Sequence, residues 1–347
     1  MNKKSFGLDI GISNIKAVNL DVDKAGTKLT ACIIAPTPPK GMVSESPVDE
    51  EEMAQAIKKA VNDAGIQNRR VNIALPDNQV YSKVVEMPYL SERELSSAIY
   101  WEAEQYMPIP LASVSLAWHV ISKPDKTNLG DKMRVLMVGA PSIIVKKYQK
   151  ILTMAGFTIN TIETEILSTV RALTFNLPSA IMIPTLIINI GDISTSLAII
   201  LRNNLLFTYS LPIGGAAINR AISADFGLSD IQAEEYKMTY GLLKNPLGHR
   251  IGKATEPILA SIIAEANKAI IFYSQKNKDS KIGQIILSGG TAKLPGIDIY
   301  FADASGIETV IGNPWRTIGS GSIPKEILAN APAYSIAVGL ALRDYEH

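Results

Sequence analysis

Phe6-Gly7-Leu8-Asp9-Ile10-Gly11-Ile12-Ser13-Asn14-Ile15-Lys16 decides how this chain is read, because it has a counterpart at Leu186-Ile187-Ile188-Asn189-Ile190-Gly191-Asp192-Ile193-Ser194-Thr195-Ser196. Each segment is an apolar strand-like run, then a carboxylate or its amide, then Ile-Gly, then small polar residues and a second strand-like run. The pattern predicts two β-hairpins with tight, glycine-bearing turns. Such a turn exposes backbone N–H groups and hydroxyls on a bend that a phosphate can approach closely. Two of them predict a duplicated α/β domain with a polyphosphate held between its halves.

Outward from these hairpins, length and composition limit the alternatives. At 347 residues the chain exceeds one ordinary core, so two lobes or several subdomains are expected. A net charge of +1 gives no electrostatic case for nucleic acid. The single cysteine, Cys32, excludes a disulfide framework within the chain, and the three scattered histidines (His119, His249, His347) make a His-based metal site improbable. Met1-Asn2-Lys3-Lys4 leads straight into a strand pattern rather than a signal peptide. The most apolar stretch, 180–191, is broken by Pro184 and is too short to span a bilayer. A soluble, cytoplasmic protein is expected.

Along the chain, a third strand at 28–35 and a proline-rich connection precede a helix capped by Asp49 and ending at Ala64-Gly65. Val71–Leu75 reads as a strand closed by the turn Pro76-Asp77-Asn78. An insertion is expected there: a strand at 80–87, a helix opened by the capping box Ser91-Glu92-Arg93-Glu94, strands at 114–121 and 133–139 around a polar tip at 123–132, a helix at 142–155 and a strand at 158–162. This β-α-β-β-α-β order predicts a split βαβ module. In its first helix Leu95, Ala98, Ile99, Ala103 and Tyr106 form the apolar stripe, with Tyr100 and Trp101 at its edge. A helix at 166–176 leads to the second hairpin, which continues through the turn at 202–204. A mostly helical region follows, with a long amphipathic helix near 257–276, and Gln284–Leu287 is a buried strand feeding Ser288-Gly289-Gly290-Thr291. The last helix carries the small residues Ala337, Gly339 and Ala341.

One Asp-x-Gly hairpin says little, and Asp9 alone fits a turn-capping role. Two matching hairpins followed by a strand-to-Gly-Gly-Thr turn are far more specific. In this order they resemble the actin/Hsp70/sugar-kinase superfamily, and more narrowly its bacterial branch of FtsA and the type IV pilus assembly family PilM. Val84-Val85-Glu86-Met87-Pro88 and Trp101-Glu102-Ala103-Glu104-Gln105-Tyr106-Met107-Pro108 resemble the inserted 1C subdomain of that branch. The resemblance implies an α/β, duplicated actin-like (ribonuclease H-like) two-lobe fold with an FtsA/PilM-type 1C insertion. The expected limits are 1–77 with 163–184 for the first lobe, 78–162 for the insertion, 185–215 with 283–347 for the second lobe and 216–282 for a helical subdomain. FtsA ends in an amphipathic membrane-targeting tail, whereas this chain stops at Asp344-Tyr345-Glu346-His347, which favours PilM.

The resemblance further implies ATP and Mg²⁺ between the lobes. Asp9 would face the metal-bound phosphates through water, with Gly11, Ser13, Asn14 and Lys16 along the β-phosphate. Gly191, Asp192, Ser194 and Thr195 would cradle the terminal phosphate, with Gly214 and Gly215 at a further turn. Glu234 and Lys237 would contact ribose and base, although an ordinary i,i+3 surface pair reads equally well. Gly289, Gly290 and Thr291 would approach the adenosine. The second hairpin carries Asn189 where this superfamily has Asp, so one charge that would orient hydrated metal or attacking water is missing and hydrolysis is expected to be slow or absent. Glu165, with Glu163 as its competitor, is the candidate for positioning that water.

A nucleotide-binding protein peripheral to the inner membrane is implied, capturing the N-terminal cytoplasmic tail of a PilN-like membrane protein in a groove between the first lobe and the insertion. Other pilus assembly proteins or self-association are further partners implied; nucleic acid and direct membrane insertion are not. The alternatives are an FtsA-like filament former and a small-molecule kinase of the same superfamily, for which no substrate-pocket carboxylate motif stands out.

Overall fold

The structure is a computed structural model, and it describes residues 4–23, 26–124, 132–176, 183–202, 204–278, 280–316, 318–319 and 323–346. The signal-peptide reading at 1–3, most of the polar tip at 123–132, the start of the 180–191 stretch, Asn203 of the turn at 202–204 and His347 lie outside these residues. The chain opens with β1 (Phe6–Ile10), β2 (Asn14–Asp23) and β3 (Gly26–Pro36), followed by helix α1 (Pro47–Asp63) and β4 (Arg70–Leu75). Asp49 is not the cap of α1: Ser46 occupies that position and Pro47 the first turn, where its missing N–H costs nothing. Next come β5 (Tyr81–Met87), α2 (Glu92–Tyr106), β6 (Val114–Ser122), β7 (Met133–Pro141), α3 (Ser142–Met154), β8 (Thr158–Thr164) and α4 (Glu165–Thr174). The capping box forms at the start of α2, Ser91 accepting from the Glu94 N–H while Glu94 reaches back to the Ser91 N–H.

The second half has β9 (Thr185–Ile190), β10 (Thr195–Leu201), β11 (Asn204–Leu211), α5 (Gly215–Phe226), α6 (Asp230–Tyr240), α7 (Pro246–Lys276), β12 (Gln284–Ser288), α8 (Ile297–Ser305), β13 (Thr309–Ile311), α9 (Lys325–Ala329) and α10 (Ser335–Leu342). Helix α7 starts well before Pro257, with Asn245 accepting from the Gly248 N–H at its cap and the proline inside. The proline had the look of a boundary, but Ile251, Thr255, Leu259 and Ile262 keep one buried face through it, and that packing outweighs one lost backbone bond.

The duplication is explicit in the sheets. One has the order β3-β2-β1-β4-β8 and the other β11-β10-β9-β12-β13. In each, an antiparallel hairpin and its outer strand lie beside strands that run parallel to the first. The two hairpins agree residue for residue: Asp9 faces Lys16 in one, Asn189 faces Ser196 in the other. The expected split βαβ module is not one sheet. Only β5, β7 and β6 pair together, whereas β8 runs parallel to β4 in the first sheet and α3 packs into the first lobe's core through Tyr148, Ile151 and Leu152. The small sheet is covered on one face by Leu95, Ile99 and Ala103 of α2. Tyr106 departs from that stripe: it is 39% exposed, and its hydroxyl donates to the Ser82 carbonyl.

Two helices trade places between the sheets. α4, which follows the first sheet, buries Ile166, Val170 and Leu173 against Ile187, Ala198 and Ile200 of the second. α10, which follows the second, buries Ala337, Val338 and Ala341 against Val18 and Leu20 of the first. They cross where Gly339 meets the Ser168 backbone so closely that no Cβ fits. Among the described residues, no helix is long and apolar enough to cross a membrane.

Candidate functional site

Both hairpin turns close with the same bond. The Gly11 N–H donates to the Asn14 carbonyl at 3.0 Å, and the Gly191 N–H to the Ser194 carbonyl at 2.9 Å. The turns face each other across the space between the sheets, where the Ser13 N–H donates to an Asp192 carboxyl oxygen at 3.1 Å. The start of α5 docks on the second turn: the N–H groups of Gly215 and Ala216 donate to the carbonyls of Gly191 and Asp192 at 2.8 and 2.7 Å. A side chain at Gly214 would strike the Asp192 backbone, and one at Gly215 would come within 2.5 Å of the Thr291 hydroxyl. Gly289 has φ +87° and packs against the backbone of Ile190, so only glycine suits it. Thr195 donates to the Ile213 carbonyl at 2.7 Å, tying the hairpin to the strand that leads into Gly214. Two hairpin turns, the Gly214-Gly215 turn and the Gly289-Gly290-Thr291 turn therefore converge on one place.

Charges are distributed unequally around it. Asp9 is buried and paired with Lys16 at 2.9 Å. Burial works against the Lys16 charge, but Asp9, Asp192 and Glu165 outweigh it and hold the ammonium above its ordinary pKa. Lys237 is also buried and pairs with Glu234 at 2.5 Å, while Asn219 donates to the same carboxylate. Its ammonium lies near Gly215, so it is not the surface pair that i,i+3 spacing suggests. Lys293 has its pKa lowered by burial and senses both Lys237 and Lys16. A cavity of about 390 Å³ opens beyond Thr291, lined by Lys293, Leu294, Asn313, Leu328 and Ala331.

The two glutamate candidates separate cleanly. Glu163 is buried in an ion pair with Arg171, which also donates to the Gly339 carbonyl, so it is committed to the helix crossing. Glu165, the first residue of α4, faces the charged cluster; burial, then repulsion from Asp77 and Asp9, raises its pKa well above the carboxylate range. Asp77 is the residue that sequence reasoning missed, because Pro76-Asp77-Asn78 satisfied a turn pattern. Its signal was position: a carboxylate two residues beyond the C-terminal end of a strand buried from Val71 to Leu75, where α/β sheets place their ligands. It is 4% exposed, and burial pushes its pKa up to about 6. The Ser196 hydroxyl and the Ile166 N–H lie beside it without forming hydrogen bonds of ordinary geometry. Asn189 is 3% exposed, and its amide oxygen has no donor.

The family whose description is "Type IV pilus assembly protein PilM" matches residues 7–345. The chain belongs to the PilM family. A solved PilM-PilN type IV pilus biogenesis complex is similar to it at 26% identity, covering 100% of both chains with a TM-score of 0.87. The cell division protein FtsA of Streptococcus pneumoniae is 25% identical over 96% of this chain and 79% of its own length. MreB5 of Spiroplasma citri bound to AMPPNP, 14% identical over 100% of this chain and 96% of its own, has a TM-score of 0.53 and shares the actin-like fold. This PilM-family chain is thus an actin-like protein of type IV pilus assembly, with its convergent glycine turns between the two lobes of that fold.

Proposed function

We propose that this PilM-family chain binds ATP between its lobes and captures the cytoplasmic N-terminal tail of a PilN-like membrane protein, acting at the cytoplasmic face of the inner membrane in a type IV pilus or related secretion assembly. The convergence of four glycine-bearing turns on one cleft carries the nucleotide reading. Backbone N–H groups presented by such turns suit phosphate oxygens, and glycine lets the chain come close. In this reading the Gly11–Asn14 turn and Lys16 follow the β-phosphate, and the turn carrying Gly191, Asp192, Ser194 and Thr195 follows the terminal phosphate. Lys237 and Glu234 reach the ribose, and Gly290, which has open space around it, lies against the nucleoside.

Mg²⁺ would supply charge neutralisation between the phosphates. The donor set fits a hydrated ion, since Asp9 is already neutralised by Lys16 and offers a water-bridged rather than a direct contact. Asn189 adds no charge with which to orient an attacking water, and burial raises the Glu165 pKa well above the ordinary carboxylate range. ATP then serves as a clamp whose differential affinity for closed and open lobes sets partner binding. For the tail, β6 is an edge of the small sheet, and Trp118, Tyr100 and Ile143 are exposed on and near it. An extended peptide adds to such an edge by main-chain pairing, with pockets for alternate side chains.

Calorimetric titration with Mg-ATP tests the reading: the wild type binds, Asp9→Ala does not, and ATP raises the affinity for a synthetic PilN-like tail. No ATP binding by the wild type overturns the clamp. The FtsA likeness over nearly the whole chain favours filament formation as a second reading, for which light scattering should rise with protein concentration in ATP.

A further inference from the structure

An anion of the chain's own spans the two hairpin turns. The Asp192 carboxylate, on the turn of the second hairpin, accepts from the Ser13 N–H on the turn of the first at 3.1 Å. Ser13 is exposed and Asp192 half-buried, so the bond lies within reach of solutes. The Asp192 charge also helps to hold the Lys16 ammonium, which puts it within electrostatic reach of that lysine. Lys16 in turn stands at the first turn, its ammonium 3.8 Å from where a side chain on Gly11 would begin.

A turn N–H beside a lysine ammonium is the donor set that a phosphate group takes from such a hairpin. Asp192 takes the same set. The Ser13 N–H carries one hydrogen, and two anions brought to it also repel each other. The main chain on both sides is braced. Thr37 holds the first turn from behind, its N–H donating to the Ser13 carbonyl at 3.0 Å and its hydroxyl to the Gly11 carbonyl at 2.8 Å. The N–H groups of Gly215 and Ala216 hold the second turn through the carbonyls of Gly191 and Asp192. Neither turn has to move for the bond to break, because rotation of the Asp192 side chain about its Cα–Cβ bond frees the Ser13 N–H.

We propose that the Asp192 carboxylate is a built-in competitor for phosphate, holding the Ser13 N–H until the β-phosphate of a nucleotide displaces it. The second hairpin then regulates access to the first. This role deepens the nucleotide reading and rests on it, and it fixes the sign of an effect. A residue that only cradles phosphate weakens binding when it is removed. A competitor strengthens binding when it is removed, and only for ligands that carry the phosphate it competes with.

Calorimetric titration of the full-length protein with ADP and with AMP tests the sign, in EDTA so that no metal ion joins carboxylate to phosphate. AMP shares the nucleoside and the first phosphate but lacks the second, so the ratio of ADP to AMP affinity isolates the competition from any change in the lobes. One backbone-to-carboxylate bond at such a site predicts a ratio about fivefold higher in Asp192→Ala than in the wild type. Asp192→Asn keeps the shape of the turn and an accepting oxygen but no charge; it should shift the ratio the same way by less, and it decides the matter if a thermal melt shows Asp192→Ala to be misfolded. An unchanged or lower ratio overturns the proposal. The bond itself is read without ligand in protein labelled at serine nitrogen. The Ser13 amide resonance, assigned by its loss in Ser13→Ala, should move upfield in Asp192→Ala, and an unmoved resonance likewise overturns the proposal. Pyrophosphate separates the two readings. If no nucleotide binds any of the proteins but pyrophosphate binds Asp192→Ala more tightly than the wild type, the competitor stands and the nucleotide reading falls; if pyrophosphate binds neither, both fall.

Discussion

The two hairpins have the same backbone and opposite electrostatics. Their turns close with the same bond, and their facing positions coincide, yet the first carries the ion pair Asp9–Lys16 where the second carries the neutral pair Asn189 and Ser196. A duplicated strand pattern therefore fixes where phosphate-binding backbone goes, while side-chain chemistry is free to diverge between copies. In this chain the ion pair sits on the first lobe's hairpin, and the second contributes a single carboxylate at its turn, Asp192, which accepts from the Ser13 N–H.

Removing the charged half of that contrast should have the largest effect. Asp9→Ala strands the buried Lys16 ammonium and should cost about 3 kcal/mol in denaturant unfolding, whereas Asn189→Ala, which deletes an oxygen without a donor, should cost about 1 kcal/mol. Equal costs would mean that the two hairpins are energetically alike. The next effect depends on pH. The folded-state pKa of Asp77, about 6, lies above its ordinary 3.8, so its contribution to stability is full below about pH 4 and is lost as pH rises through 6. Asp77→Asn should remove that loss, on the order of 2 kcal/mol in favour of the variant at pH 7. Superimposable stability–pH curves would count against a raised pKa.

Introducing charge into the neutral hairpin is the next test. Asn189→Asp sets a carboxylate near Asp77 and should destabilise the protein by about 1–2 kcal/mol at pH 7.5 and less at pH 5.5, seen in thermal melts at the two pH values. The smallest effect belongs to the bond between the turns. Asp192→Ala frees the Ser13 N–H at a partly exposed site and should cost about 0.5–1 kcal/mol, with a larger radius of gyration in solution scattering if that bond holds the turns together.

Much of this architecture was legible in local sequence. The repeated Asp/Asn-Ile-Gly pattern gave both hairpins, Ser91 and Glu94 gave the start of α2, and Gly289-Gly290-Thr291 gave a close backbone approach, because each depends on residues within one turn of each other. What depends on distant partners was not legible. The strand at 158–164 fits an inserted module by order, but its partner is β4, and pairing across that separation leaves no local mark. Tyr106 has the right spacing for the α2 stripe, but it is the last residue of the helix and its hydroxyl donates to the Ser82 carbonyl on β5. Lys237 looked like half of a surface pair until α5 and the Gly289 turn covered it. Asp77 and Ser196 each read as ordinary, one in a turn and one in an apolar strand; only the meeting of two sheets makes them neighbours.

The crossing of α4 and α10 at Gly339 has a consequence for how the lobes turn. At this fulcrum main chain meets main chain, so a small rotation of one sheet against the other would pivot there and carry with it the Arg171 side chain that donates to the Gly339 carbonyl. In such a rotation displacement would be least at that point and would grow with distance from it, like the blades of shears about their rivet. A larger residue at 339 would jam the rivet and leave the distant edges of the cleft fixed.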